Sequence, residues 1–287
     1  MTRKPCFRAC ALAFALALGV PAVHAAKPAD SATLPAPDVA LQTAIDGSWR
    51  TPANVERDAY RHPGQTLAFF GIRPDMTVVE ITPGGGWYTE ILAPYLRDQG
   101  RYVAAVVDPQ TLPEGKGRDY PQRARDGLQK KLDAAPEQYG KAQVVGYDPK
   151  APVFGPAASA DLVLTFRNVH NWRGSGQVEG MFKGFYDVLK PGGVLGVVEH
   201  RARADVPADD RSGYVGQDQV IALAKAAGFE LAGSSEVNAN PRDTRDHPNG
   251  VWTLPPSNNH PEAERAKYQA IGESDRMTLR FVKPGAE

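Results

Sequence analysis

Cysteine is nearly absent from this chain: the 287 residues hold two, Cys6 and Cys10, both within the first ten positions. A chain that loses that segment has no disulfide, no thiol nucleophile and no cysteine metal site. Net charge of one sign is missing too, with 33 Lys and Arg against 33 Asp and Glu. Nothing therefore points to nucleic acid or an anionic membrane as a partner. The N-terminal apolar run, Ala11 to Val20, has ten residues, whereas a bilayer takes about 20. Neither a His-Glu-x-x-His sequence nor a Gly-x-Ser-x-Gly elbow is present, which removes the usual signatures of zinc proteases and serine hydrolases.

What is present begins with export. Arg3, Lys4 and Arg8 precede the apolar run, and Val23-His24-Ala25 offers small residues for cleavage, so residues 1–25 read as a signal peptide. Cys10 precedes the apolar run instead of following it, which argues against a lipoprotein, and no Arg-Arg pair suggests the twin-arginine route. The protein is expected to be periplasmic or secreted, with no membrane insertion after cleavage. Cutting after Ala25 leaves 262 residues, with 30 basic against 33 acidic. That length buries a sizeable core without a metal or disulfide staple.

Residues 26–38, rich in Ala, Pro, Asp and Ser, read as a flexible leader, and 39–76 as a helical segment broken near Gly47, Pro52 and Pro63. Strands are predicted at Thr77–Ile81, Arg101–Val107, Gln143–Tyr147, Asp161–Phe166, Val194–Glu199, Glu230–Val237 and Arg276–Val282. Helices are predicted at Trp87–Leu96, Gln122–Ala134, Val178–Leu189 and Gln217–Ala227. This alternation defines one α/β domain with a mainly parallel sheet. Asn238 to Asp275 is a long, mostly loop-like connection that reads as a lid, since a purely solvated loop would not need Trp252.

Glu80-x-Thr82-x-Gly84-Gly85-Gly86 lies between a strand and a helix, where glycines let a ligand approach the backbone. With Asp108 after the second strand, Asp148 after the third and Leu189-Lys190-Pro191-Gly192-Gly193 before the fifth, it resembles the class I S-adenosylmethionine-dependent methyltransferases over about Thr77 to Lys283. More narrowly, the chain resembles a group of exported bacterial proteins described as methyltransferases. The resemblance implies a Rossmann-like, seven-stranded, mainly parallel sheet with helices on both faces and a last antiparallel strand. It also implies S-adenosylmethionine as cofactor and a small-molecule substrate. Glu80, Thr82, Gly84, Gly85 and Gly86 would then form the cofactor loop, Asp108 would meet the ribose and Asp148 the adenine. One departure is Thr82, which stands where the family has its first glycine and narrows the room beside a ligand while offering a hydroxyl.

Phe166-Arg167-Asn168-Val169-His170-Asn171-Trp172 follows the fourth strand, at the carboxyl edge where such sheets bind ligands. Asn168 is a candidate for the cofactor's amino-acid end, and His170 a candidate general base. Asp108 has an alternative role as a turn residue before Pro109, and His170 as a histidine hydrogen-bonded in a loop. Glu199 and His200, with His170, invite a two-histidine, one-carboxylate metal site. No metal is expected, because adjacent strand residues face opposite sides. A binding protein without transfer chemistry, or an interaction protein on the same scaffold, are the competing functions.

Overall fold

Thr77-Val78-Val79-Glu80-Ile81, β-branched at most positions, forms the central strand β1 (Thr77–Ile81). Four helices precede it: α1 (Val39–Ile45), α2 (Pro52–Val55), α3 (Asp58–Arg61) and α4 (Pro63–Phe70). After it come α5 (Thr89–Leu96), β2 (Arg101–Val107), α6 (Lys116–Ala134), α7 (Pro136–Tyr139), β3 (Gln143–Tyr147) and β4 (Ala160–Phe166). Then follow α8 (Val169–Gly174), α9 (Val178–Val188), β5 (Leu189–His200), α10 (Gln217–Ala226), β6 (Glu230–Ser235), α11 (Arg265–Ile271) and β7 (Arg276–Val282). The computed structural model of the chain describes residues 1, 2 and 36–285. Its contacts divide the chain into Met1–Thr33 and Leu34–Glu287, and the fold described is that of the second unit. Apart from residues 1 and 2, the signal peptide lies outside the described residues, as does the leader up to residue 35.

The seven strands form one sheet in the order β3-β2-β1-β4-β5-β7-β6. All neighbours are parallel except β7, which runs antiparallel to both β5 and β6. Side chains alternate across the sheet, so Val79 and Ile81 join one apolar layer while Val78 joins the other. Glu80 therefore lies on the Val78 face, with Trp87 and Tyr88. Chain order runs outward from β1 through β2 to β3, then jumps to β4 on the other side. Such a switch point opens a crevice at the carboxyl ends of the two strands.

Three differences from the sequence reading have local causes. β5 starts at Leu189, not Val194, because Leu189 pairs with Ala160 across a register shift and Gly193 is bonded to Lys283. Residues 36–38 belong to the fold: Asp38 caps α1 and accepts a 2.6 Å hydrogen bond from the Tyr95 hydroxyl. α8 lies in what read as a loop; it buries only Val169 and Trp172, too little to show a periodicity. The stretch from Asn238 to Asp275 is mostly loop, as the sequence predicts, but it also carries short 3-10 turns at Gly250–Thr253 and Glu262–Glu264 as well as α11. Among the described residues no helix is long and apolar enough to cross a membrane.

Candidate active site

A cavity of about 480 Å3 opens at the β1/β4 crevice. Glu80, Thr82, Gly84, Gly85, Asn168 and His170 all line it, so residues 90 positions apart meet in one place. Gly86, Asp108 and Asp148 do not line it.

The glycine wall is shaped by backbone conformation. Thr82 sits at φ +51°, Gly84 at +58° and Gly86 at +77°, so Thr82 adopts the left-handed geometry natural to glycine. Its hydroxyl bonds the Tyr147 hydroxyl at 2.8 Å, which ties the loop to the end of β3. A Cβ placed on Gly84 or Gly85 would meet nothing within 4 Å, whereas one on Gly86 would come within 3.2 Å of Leu128. The first two glycines thus present backbone to open space, while the third packs under α6.

Glu80 is buried beneath this loop, 2% exposed. The Tyr102 hydroxyl donates to its Oε2 at 2.6 Å, and Oε1 has no hydrogen-bond partner among the described residues. Burial pushes its carboxyl up to about 7, against the pull of the Tyr102 and Thr89 hydroxyls. Above the loop Tyr88 stacks on Phe166, ring centroids 3.6 Å apart.

Asp108 ends β2. Its Oδ1 accepts from the Gln110 N–H at 3.0 Å and faces Arg125 at 3.5 Å, and its Oδ2 takes no hydrogen bond among the described residues. Asp148 accepts from the Lys150 N–H at 2.9 Å. Both carboxylates thus make turn-capping bonds near the strand ends, and Asp108 keeps one free oxygen. The Asn168 amide donates to the Ile81 carbonyl at 3.0 Å and to the Thr165 hydroxyl at 3.2 Å, clamping the ends of β1 and β4 together.

His170, at the start of α8, has its Nδ1 3.1 Å from Oε1 of the fully buried Glu199. Glu199 also accepts the backbone N–H groups of His170 and His200. The imidazole is thereby fixed in orientation, and its Nε2 has no partner among the described residues. Trp252 stands edge-on to it, centroids 6.0 Å apart. His200 bonds the Ser274 hydroxyl at 2.5 Å. Burial, then His170 and the guanidiniums of Arg167, Arg276 and Arg61, hold His200 well below the usual imidazole range, so it is neutral.

Another part of the wall is cationic, which the sequence reading missed entirely. Arg57 and Arg61 (α2–α3) and Arg167 (after β4) line the cavity, and Arg276 opens β7 behind them, in register with His200. Glu273 alone serves three of them, at 2.6 Å from Arg57, 3.4 Å from Arg61 and 3.1 Å from Arg276. Burial pushes Glu273 up, but Arg276, Arg61 and Arg57 outweigh it and hold the carboxyl down at about 2. Arg61 also lies over the Trp87 ring at 4.7 Å. From the 238–275 stretch, Val251, Trp252, Pro255 to Ser257 and Glu273-Ser274 reach the cavity. The polar run at 240–247 instead centres on buried Asp243, which accepts from Tyr214, Arg245 and Asp275 and pairs with His247.

His170, Glu199 and His200 offer ligand atoms all within 4.8 Å of one another. The argument that adjacent residues Glu199 and His200 must diverge fails because β5 ends there, and the carboxylate turns back to accept the His200 N–H at 2.8 Å. The geometry resembles a two-histidine, one-carboxylate site. The field does not favour one: the guanidiniums that keep His200 neutral also oppose a divalent cation.

No family model and no curated protein matches the chain. Among solved structures, it is similar to a SAM-dependent methyltransferase from Aquifex aeolicus, at 15% identity and a TM-score of 0.54 over 84% of this chain and 97% of that one. It is equally similar to the [4+2]-cyclase SpnF, at 16% identity and 0.54 over 84% of each chain. An arsenic(III) S-adenosylmethionine methyltransferase from Chlamydomonas reinhardtii follows, at 15% identity and 0.50 over 88% of this chain and 75% of that one. The fold is the Rossmann-like methyltransferase fold, class I.

Proposed function

We propose that this protein is an exported S-adenosylmethionine-dependent methyltransferase acting on a small molecule. The observation that carries the reading is one cavity with a glycine wall facing open space and, across it, an imidazole held by a buried carboxylate. The donor set suits the cofactor. Glu80 Oε1 is free for its ammonium or sulfonium end, Gly84 and Gly85 leave room for close backbone approach, and Asp108 Oδ2 is free for ribose hydroxyls. When bound, S-adenosylmethionine supplies an electrophilic methyl group to an in-line displacement, in which positioning provides much of the acceleration. His170 Nε2 takes the proton of a hydroxyl or amine acceptor as the new bond forms, and Glu199 stabilises the resulting imidazolium.

The second reading, a binding protein or a catalyst of other chemistry, is favoured by one observation: the Thr82 hydroxyl is already committed to Tyr147. SpnF, named for a cyclisation, is an example of this fold put to another reaction. Export sharpens the question, since S-adenosylmethionine is made in the cytoplasm and general export passes the chain unfolded. Calorimetric titration of the chain from Ala26 with S-adenosylmethionine and S-adenosylhomocysteine tests the first reading. Saturable micromolar binding is the expected result. No binding by a protein that melts cooperatively would sink it.

A further inference from the structure

Arg167 is the group that the methyl-transfer reading leaves unused. It lines the cavity at the carboxyl end of β4, in the left-handed region at φ +61°, and is held there by its N–H to the Val198 carbonyl at 2.7 Å. A long side chain in that conformation is strained. Its guanidinium has no ion pair and no hydrogen bond among the described residues. Arg61, which lines the same cavity, is hydrogen-bonded only through Nε, and its terminal nitrogens have no hydrogen-bond partner among the described residues. Burial and the Arg276 guanidinium bring Arg167 down to about 10, against the weaker pull of Glu273.

A cation half-buried in a cavity wall without a partner keeps only part of its hydration, and an anion that arrives with a ligand supplies the missing charge. Arginine's planar fork suits a carboxylate or phosphate, which it binds through two hydrogen bonds. S-Adenosylmethionine carries a net positive charge, from a sulfonium and an ammonium against one carboxylate, and a surplus of guanidiniums does not attract it. The surplus also lies on the β4–β5–β7 side, across β1 from Asp108 on β2.

We propose that Arg167, with the terminal nitrogens of Arg61, binds the methyl acceptor through a carboxylate or phosphate group, so that the substrate is a small anion. The inference deepens the methyltransferase reading and rests on it for the word acceptor; the anion site itself does not depend on that reading. His170 lines the same cavity, where it meets the proton-bearing group of a molecule anchored on Arg167.

The test uses inorganic phosphate as probe, at constant ionic strength with chloride as control, on the wild type, Arg167→Met and Arg167→Lys. The adenosyl probes S-adenosylhomocysteine and 5′-methylthioadenosine, which lacks the amino-acid end, are titrated alongside. Phosphate is expected to bind the wild type saturably, also in the presence of S-adenosylhomocysteine, and at least tenfold more weakly to Arg167→Met. Arg167→Lys is expected to fall between them. Arg167→Met should melt no lower than the wild type, because it removes an unpaired, partly buried charge. Two results would overturn the proposal. One is phosphate affinity unchanged in a folded Arg167→Met. The other is a loss confined to S-adenosylhomocysteine and absent for 5′-methylthioadenosine, which would give Arg167 to the cofactor's carboxylate. Phosphate binding without any adenosyl binding would keep the anion site and remove the methyltransferase reading.

Discussion

Glu80 and Glu273 line one cavity at nearly equal depth, 2% and 4% exposed. Glu80 is nonetheless pushed up to about 7 while Glu273 is held down at about 2. Burial raises both, so depth does not explain the difference. The partners do: Glu80 receives neutral hydroxyls from Tyr102 and Thr89, and Glu273 is surrounded by three guanidiniums. One wall is thus nearly neutral and able to gain charge when a cationic ligand arrives. The other is already charged and short of an anion.

The largest test of that contrast is removal of each negative charge. Glu273→Gln leaves Arg57, Arg61 and Arg276 without their shared carboxylate and is expected to cost about 3–5 kcal/mol of stability, the usual effect of breaking a buried pair. Glu80→Gln, at a site already half neutral near pH 7, is expected to cost less than about 1 kcal/mol. Denaturant unfolding at pH 7 measures both. Equal losses would mean that the two carboxylates are not distinguished by their partners.

The next effect is on pH dependence, where the two groups act with opposite sign. Glu80 has a folded value above its unfolded value of 4.5, so the native state holds the proton more tightly and stability falls as pH rises from 4.5 to about 7. Glu273 has a folded value below 4.5, so its stabilisation is present above 4.5 and is lost as pH falls toward about 2. Each span corresponds to about 3 kcal/mol at 1.36 kcal/mol per pKa unit. The difference in unfolding free energy between wild type and Glu80→Gln, followed from pH 5 to 8, should therefore move against the wild type. A flat difference would show that Glu80 is ionised throughout.

The sequence shows one wall and conceals the other for a physical reason. Val78, Val79 and Ile81 mark β1 by their branching, and Gly84 to Gly86 mark the turn, so everything local to the glycine wall is readable within ten residues. The arginine wall is assembled from Arg61, Arg167 and Arg276, each separated by about a hundred residues, and none lies in a recognisable pattern. Arg276 opens an apolar strand, and only the antiparallel register of β7 on β5 sets it opposite His200. Arg167 stood within a stretch already noted for Asn168 and His170. A charged residue among the apolar and amide groups after β4 was the one available signal. The metal argument failed for a similar reason, since strand alternation does not hold at the last residue of a strand.

Asp108 sharpens the comparison because it lies outside both walls. Asp108→Ala leaves Glu80 and Glu273 with all their partners, so stability should change little. If Oδ2 meets ribose hydroxyls, adenosyl-ligand affinity should drop by about 1.5–3 kcal/mol, the scale of hydrogen bonds to a charged group. Calorimetry with S-adenosylhomocysteine measures it, and unchanged affinity in a folded variant would remove Asp108 from the site.

The smallest expected effect concerns Thr82, two residues after Glu80 on the same wall. Its left-handed backbone costs about 1–2 kcal/mol for a residue with a Cβ, and its hydrogen bond to Tyr147 returns about 1 kcal/mol. Thr82→Gly removes both and should leave stability within about 1 kcal/mol of the wild type. Thr82→Val keeps the strained backbone and loses the bond, so it should be the least stable of the three by about 1 kcal/mol or more. If Val instead matched Gly in thermal unfolding, the backbone at Thr82 would relax at no cost. The glycine wall would then owe its shape to Gly84 and Gly86 alone, and Thr82 would no longer restrict the room beside a ligand.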